Sequence, residues 1–169
     1  MVNRYGLAGI VSRFLLGLCL LLLGGCYELG REVIPADRAE LIPFTGTTIE
    51  WTNGNISRFS RTPYGNEYRF EHTESSEVTT GTFRAMRITG NIYALQLHSD
   101  KEMNTWYIRF YAIDANHVQE VGPDDDDRVA VLAERYGVTL DDLGDSTVVK
   151  GAPRDILEFI RAHAGVTFR

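Results

Sequence analysis

Residues 82–98 read TFRAMRITGNIYALQLH, two β-prone runs on either side of a short turn at Thr89–Asn91. In the second run, Tyr93, Leu95 and Leu97 share one face of an extended strand, and the residues between them share the other face. Glycine and asparagine at the turn suit a tight reversal of the chain. The stretch therefore predicts a β-hairpin in the middle of the chain.

Further strand-like segments flank this hairpin between residues 45 and 121. They are rich in β-branched and aromatic residues, and turn residues separate them. Together they predict an antiparallel β-meander sheet or a partly closed barrel of about six to eight strands. The predicted strands are 47–52, 68–72, 82–88, 92–98, 106–113 and 117–121.

Three short motifs recur in the same order within this region, which is consistent with two repeated three-strand units. Coincidence among common turn residues is the alternative. The pairs are Thr45-Gly46-Thr47 with Thr80-Gly81-Thr82, Gly54-Asn55-Ile56 with Gly90-Asn91-Ile92, and Arg69-Phe70 with Arg109-Phe110.

Two helices are predicted in the last part of the chain. Residues 128–136 carry apolar side chains at helical spacing, after an acidic run at 124–127. The second helix begins near Pro153 and runs to about His163, with an apolar side that would pack on the sheet. Residues 166–168 predict a last edge strand. The expected fold class is therefore α+β, with two C-terminal helices packed on the sheet.

The N-terminal segment is basic and then apolar. Arg4 and Arg13 precede a charge-free run over 14–25, which ends in Leu23-Gly24-Gly25-Cys26. This arrangement resembles a bacterial lipoprotein signal peptide with its lipobox. The overall plan is similar to that of small uncharacterised envelope lipoproteins of Gram-negative bacteria. The resemblance implies cleavage before Cys26 and acylation of Cys26, which would make the lipid bilayer a partner of the chain.

An ordinary signal peptide or an uncleaved transmembrane helix are the alternatives. A spanning helix needs about 20 apolar residues, whereas the charge-free run here has 12. Tyr27 stands where an Asp would resemble an inner-membrane retention signal, so the resemblance implies the outer membrane, facing the periplasm. The expected organisation is a cleaved signal at 1–25, a lipidated tether at 26–43 and a single domain at 44–169, β-rich over 44–121 and mainly helical over 122–169.

The charge and the cysteine content of the chain argue against nucleic-acid binding and against a disulfide-stabilised domain. Removal of Arg4 and Arg13 leaves 15 basic and 23 acidic residues, a net charge of −8. Nucleic-acid binding requires a basic footprint, so no nucleic-acid partner is expected. The two cysteines are Cys19, in the removed segment, and Cys26. The mature domain is therefore expected to have no disulfide and to be held together by its core.

No catalytic or metal-binding motif is found in the chain. The acidic run at 124–127 lacks the spacing of a calcium loop and is better explained as a helix cap. No serine lies in a hydrolase motif, and no cofactor or metal is expected. His72 and His98 are the candidate acid–base groups, because both fall on predicted strands and could meet across the sheet.

A candidate binding face lies on the strand 106–113. Tyr107, Arg109 and Tyr111 share one side of this strand, and aromatic residues with arginine are typical of recognition surfaces. Cover by the C-terminal helices is the alternative.

The expected function is a membrane-anchored, non-catalytic binding or structural module, with an envelope protein as its candidate partner. The alternative is a cell-wall-directed enzyme or a lysozyme-inhibitor-like protein. Thr89–Tyr93 is similar to the Ser-Gly-x-x-Tyr signature of periplasmic lysozyme inhibitors, with Thr in place of Ser.

Overall fold

Strands in which polar and apolar residues alternate form one large sheet. The computed structural model describes residues 26–63, 65–102, 104–143 and 146–169. The predicted signal peptide lies outside the described residues. The strands are β1 (Tyr27–Leu29), β2 (Thr48–Glu50), β3 (Ile56–Arg61), β4 (Glu67–Glu74), β5 (Glu77–Thr89), β6 (Ile92–Ser99), β7 (Trp106–Ile113), β8 (Val118–Val121), β9 (Thr139–Asp142) and β10 (Thr147–Lys150). The helices are α1 (Asp126–Arg135) and α2 (Pro153–Ala162), and a 3₁₀ turn, His163–Gly165, follows α2.

The sheet is an open meander extended by strands from both ends of the chain. Its order is β2-β3-β4-β5-β6-β7-β1-β10-β9, and β8 also pairs with β7. The strand pairs are antiparallel except for β1 with β10, which is parallel. The predicted fold class, α+β with a β-meander sheet and two C-terminal helices, is confirmed. Of the recurring motifs, Gly54-Asn55-Ile56 and Gly90-Asn91-Ile92 occupy the turns into β3 and β6, whereas Thr45-Gly46-Thr47 precedes β2 and Thr80-Gly81-Thr82 lies inside β5.

Each face of the sheet buries its own apolar cluster. On one face, α1 and α2 pack over Tyr27, Ile108 and Phe110. On the other face, the curled strands β3–β7 enclose a second, aromatic-rich cluster that includes Tyr68 and Tyr93. The period-2 alternation of β6 and β7 supplies both clusters, because successive side chains point to opposite faces.

The ends of α1 are capped as the acidic run predicts. The Asp125 carboxylate accepts a hydrogen bond from the Arg128 amide at 2.9 Å, and Asp126 and Asp127 lie in the first turn. Both carboxylates suit the positive end of the helix dipole. Gly137 follows the last turn with a φ of +65°, a conformation that glycine adopts readily.

Four strands are absent from the sequence prediction. These are β1, β3, β9 and β10, and the last two form a hairpin within the region expected to be mainly helical. The predicted final strand at 166–168 is reduced to a single bridge between Phe168 and Pro123. The sheet thus has ten strands in the described part of the chain, against the six to eight expected.

The expected tether over 26–43 is corrected by the structure, because this segment is part of the domain. Tyr27–Leu29 pairs with two strands, and Val33, Ile34 and Ile42 are buried. Burial of each such side chain contributes about 1.5–3 kcal/mol, so these residues help to hold the segment against the sheet. No helix among the described residues is long and apolar enough to cross a membrane.

Candidate functional site beside Cys26

Cys26 lies at the point where the described chain enters the sheet. The register of β1 against β7 pairs Glu28 with Tyr107 and Tyr27 with Ile108, and its continuation places Cys26 beside Arg109. On the other side, the Thr147 amide donates a hydrogen bond to the Cys26 carbonyl at 3.0 Å. Cys26 is therefore held against β10 by its own backbone, and it lies next to β7.

Tyr27 fixes this position from the opposite face of the sheet. Its side chain is buried, and its hydroxyl lies 2.9 Å from Nε2 of His163. The other ring nitrogen, Nδ1, lies 2.9 Å from the Phe159 carbonyl and must donate to it. Nε2 of the neutral ring is then an acceptor, so the Tyr27 hydroxyl is the donor. Residue 27 is thereby joined to the C-terminal end of α2.

The side chains around Cys26 form a surface that we call the Cys26 face. It lies on the side of the sheet opposite α1 and α2, because it alternates with the buried residues Tyr27 and Val149. Leu143, at the end of β9, is 60% exposed, and the other members are half-exposed. The Cys26 face consists of Cys26, Glu28, Tyr107, Arg109, Leu143, Ser146 and Val148.

Hydrogen bonds and ion pairs link this face across the strands. Arg109 donates to Glu120 at 3.4 Å, the Tyr107 hydroxyl donates to Glu102 at 2.6 Å, and Ser146 donates to Glu28 at 3.5 Å. These contacts give the polar groups of the face hydrogen-bond partners, and the face stays accessible to solvent.

Partial burial shapes the ionisation of the groups beside Arg109. Burial raises the pKa of the Cys26 thiol, and the nearby Arg109 guanidinium opposes that shift. Burial also raises the pKa of Glu120, again against the effect of Arg109. The Cys26 thiol is thus kept neutral, which does not suit a reactive nucleophile.

The predicted binding residues divide between this face and the core. Tyr107 and Arg109 lie on the Cys26 face, as expected from their shared side of β7. Tyr111 is only 7% exposed and its ring centroid lies 6.2 Å from that of Trp51. The prediction that Tyr111 belongs to an open face is therefore corrected. The helices are not the cause, because the connection after β2 folds over that end of β7.

His72 and His98 do not meet, which corrects the second prediction about the site. On β5 their partners are Thr79 and Thr82, three positions apart and so on opposite faces of the sheet. His98 instead donates from Nδ1 to the Thr105 carbonyl at 3.0 Å and stacks on Trp106 at 4.6 Å.

A serine–histidine pair was missed in the sequence. Nδ1 of His72 lies 2.8 Å from Oγ of Ser57, and the Trp51 indole N–H donates to the same hydroxyl at 2.8 Å. Ser57 lies on strand β3 and reaches His72 because β3 pairs with β4. The polar residues of β3 give it no strand-like pattern in the sequence. The only available signal was that Ser57 and His72 both lie in segments with β-branched or aromatic neighbours.

The surface of the described residues includes open depressions outside the pairs above. One, of about 520 Å³, is lined by Arg61, Thr62, Pro63, Gly65 and Asn66. Another, of about 360 Å³, lies between Arg87 on β5 and Arg161 on α2. Within the described residues, no group of three His, Cys, Asp or Glu side chains is arranged to hold a metal ion.

Comparison of the chain with known proteins assigns it to no family, because no protein-family model, no curated protein and no solved structure matches it.

Proposed function

We propose that this chain is a membrane-anchored lipoprotein of the bacterial envelope, and that its domain is a non-catalytic binding or structural module. The observation that carries the proposal is the lipobox-like Leu23-Gly24-Gly25-Cys26 after a short apolar run. Its position supports the proposal, since Cys26 directly precedes β1 and cleavage there would leave intact every strand and helix of the part of the chain that the structure describes. The acylated Cys26 would hold the domain at the outer membrane, facing the periplasm.

A non-catalytic role is supported by the arrangement of the titratable groups. His72 and His98, the candidate acid–base groups, lie on opposite faces of the sheet. The Cys26 thiol has a raised pKa, and it would be consumed as a thioether in the mature chain. An envelope protein is the partner class that fits a domain confined to this compartment.

The experiment that tests the proposal compares two cysteine variants in a Gram-negative host. Cys26→Ala removes the acylation site, whereas Cys19→Ala changes only the segment to be removed. We expect wild type and Cys19→Ala to float with membranes and to incorporate labelled palmitate, and Cys26→Ala to lose the label. Cross-linking of the anchored form, followed by mass spectrometry, would identify its envelope partner. Equal labelling of Cys26→Ala and wild type would contradict the proposal.

A cell-wall-directed hydrolase is the second candidate, because Ser57 and His72 are within hydrogen-bond distance. A serine next to a histidine base is the minimum arrangement for nucleophilic catalysis. Purified domain would be incubated with peptidoglycan, and released fragments would be measured for wild type and Ser57→Ala. Release by wild type alone would favour this candidate, and no release by either protein would eliminate it.

A further inference from the structure

We infer that the Cys26 face contacts a bilayer of zwitterionic phospholipid and forms the membrane-contact surface of the domain. This inference rests on the proposed acylation of Cys26. In this arrangement Tyr107 and Arg109 would contact lipid headgroups and would not bind a protein partner. A protein partner would bind to another surface of the domain.

No flexible linker separates the acylation site at Cys26 from strand β1 of the sheet. Tyr27 is 3% exposed and hydrogen-bonded to His163, so it belongs to the core. One residue spans about 3.3–3.6 Å. Acyl chains attached at Cys26 would therefore bring the sheet within a few ångströms of the headgroups, and the domain could not swing on a linker.

The side chains of Ser146 and Leu143 point to the same side of the sheet as that of Cys26. The parallel register of β1 with β10 places Cys26 beside Ser146, and the Leu143 amide bonds to the Ser146 carbonyl at 2.9 Å. Leu143 is thus two strand spacings from Cys26, about 10 Å. A surface that brings Cys26 to the bilayer brings Leu143 there as well.

The Cys26 face combines an aromatic side chain with exposed apolar side chains. Tyr107 is the amphipathic type of residue that is enriched at membrane–water interfaces. Leu143 and Val148 add apolar area, and Leu143 is among the most exposed large apolar residues of the described chain at 60%. Contact with lipid would remove this exposed apolar surface from water.

The charged groups of the Cys26 face indicate zwitterionic phospholipid as the class of lipid that it contacts. Arg109 is paired with Glu120 at 3.4 Å, and at the margin of the face Lys150 is paired with Asp141 at 2.5 Å. The Glu28 and Glu102 carboxylates add negative charge beyond these pairs, so the Cys26 face has no excess of positive charge, and the mature chain has a net charge of −8. Paired charges of both signs suit zwitterionic headgroups, whereas an anionic surface would repel the domain as a whole.

Val131 provides a matched control on the far side of the domain. It is 62% exposed and lies on α1, whose buried residues Val129 and Ala133 face the sheet. It therefore points away from the bilayer in the inferred orientation, with the same exposure and apolar character as Leu143.

The test places a nitroxide label at each position in the acylated, processed chain. The Cys26 thiol would be blocked by its thioether and Cys19 removed, so Leu143→Cys or Val131→Cys supplies the single free thiol. Each labelled chain is reconstituted into phosphatidylcholine–phosphatidylethanolamine vesicles. Collision with oxygen and with a water-soluble nickel chelate is then measured by electron paramagnetic resonance.

We expect the label at 143 to lose accessibility to the nickel chelate on vesicle binding and to gain accessibility to oxygen, and the label at 131 to change in neither respect. Equal nickel accessibility at both positions in vesicle-bound protein would overturn the inference and leave the proposed anchoring intact. A chain that carries no acyl group and does not float with the vesicles would instead contradict the proposed function.

Discussion

The Tyr27 hydroxyl donates a hydrogen bond of 2.9 Å to Nε2 of His163 in the core of the domain. The two residues are 136 positions apart in the chain, so the contact joins β1 to the C-terminal end of α2. The ring of His163 also stacks on Phe110 of β7, with centroids 5.1 Å apart. The first strand is thereby held by a polar bond inside an apolar cluster.

Tyr27→Phe should lower the free energy of unfolding by about 1–2 kcal/mol, because it removes the donor and leaves Nε2 of His163 buried without a partner. Urea unfolding followed by circular dichroism would measure the change. Tyr107→Phe is the control, since its hydroxyl bonds to Glu102 at the surface, and it should leave stability nearly unchanged. Equal losses in both variants would contradict the role given to the Tyr27–His163 bond.

Stability should fall as the pH is lowered below the ordinary histidine pKa of about 6.5. Burial holds the pKa of His163 below that value in the folded protein, so the unfolded chain binds a proton first as pH falls. The stabilisation is therefore complete above about 6.5 and is lost progressively below it, towards the folded-state pKa.

Urea midpoints at pH 7.5 and pH 5.5 would measure this loss. Replacing His163 by Gln should reduce the difference between the two midpoints, whereas His117→Gln, at an exposed position, should retain it. The same difference in all three proteins would show that other groups cause the pH dependence.

The hairpin β5–β6 and strand β7 could be predicted because their alternation is long and their turn carries Gly90, whose φ is +52°. Strand β1 could not, since it has three residues and is stabilised only by partners far away in the chain. The Asp-rich β9 and the serine- and arginine-rich β3 lack the β-branched runs that indicate strands.

In the candidate site, the features that depend on neighbouring residues could be predicted, and the contacts between residues distant in the chain could not. Alternation placed Tyr107, Arg109 and Tyr111 on one side of β7, as the pairings confirm. It could not show that Trp51 covers Tyr111, because that contact depends on the curl of the sheet. Nor could it bring Cys26 beside Arg109, which requires β1 to pair with β7.

Gln96→Leu should lower the free energy of unfolding by about 2–4 kcal/mol, because two backbone amides would lose their acceptor. The Gln96 side-chain oxygen accepts from the amides of Val33 and Ile34 at 2.6 and 2.7 Å. Hydrogen exchange at these two amides should accelerate in the variant. Gln119→Leu, at an exposed position of β8, is the control and should leave this exchange unchanged. Protection that persists in Gln96→Leu would contradict the role given to the two hydrogen bonds of Gln96.

Gly81→Ala should destabilise the domain by about 3 kcal/mol or more, because the added methyl group overpacks β5. Its Cβ would lie 2.1 Å from the His98 carbonyl and 2.8 Å from the Phe70 ring. Gly30→Ala is the matched control, since its Cβ would have no atom within 4 Å. Thermal unfolding of both variants would compare them, and an equal melting temperature would show that β5 and β6 are not packed as described.

The intact mass of the chain extracted from membranes decides whether Cys26 is the anchor. We expect a protein that begins at Cys26 and carries the added mass of a diacylglycerol and an N-linked acyl chain. Digestion should place the whole of that addition on the N-terminal peptide. A chain that retains residues 1–25, or one cleaved elsewhere with an unmodified Cys26, would contradict it.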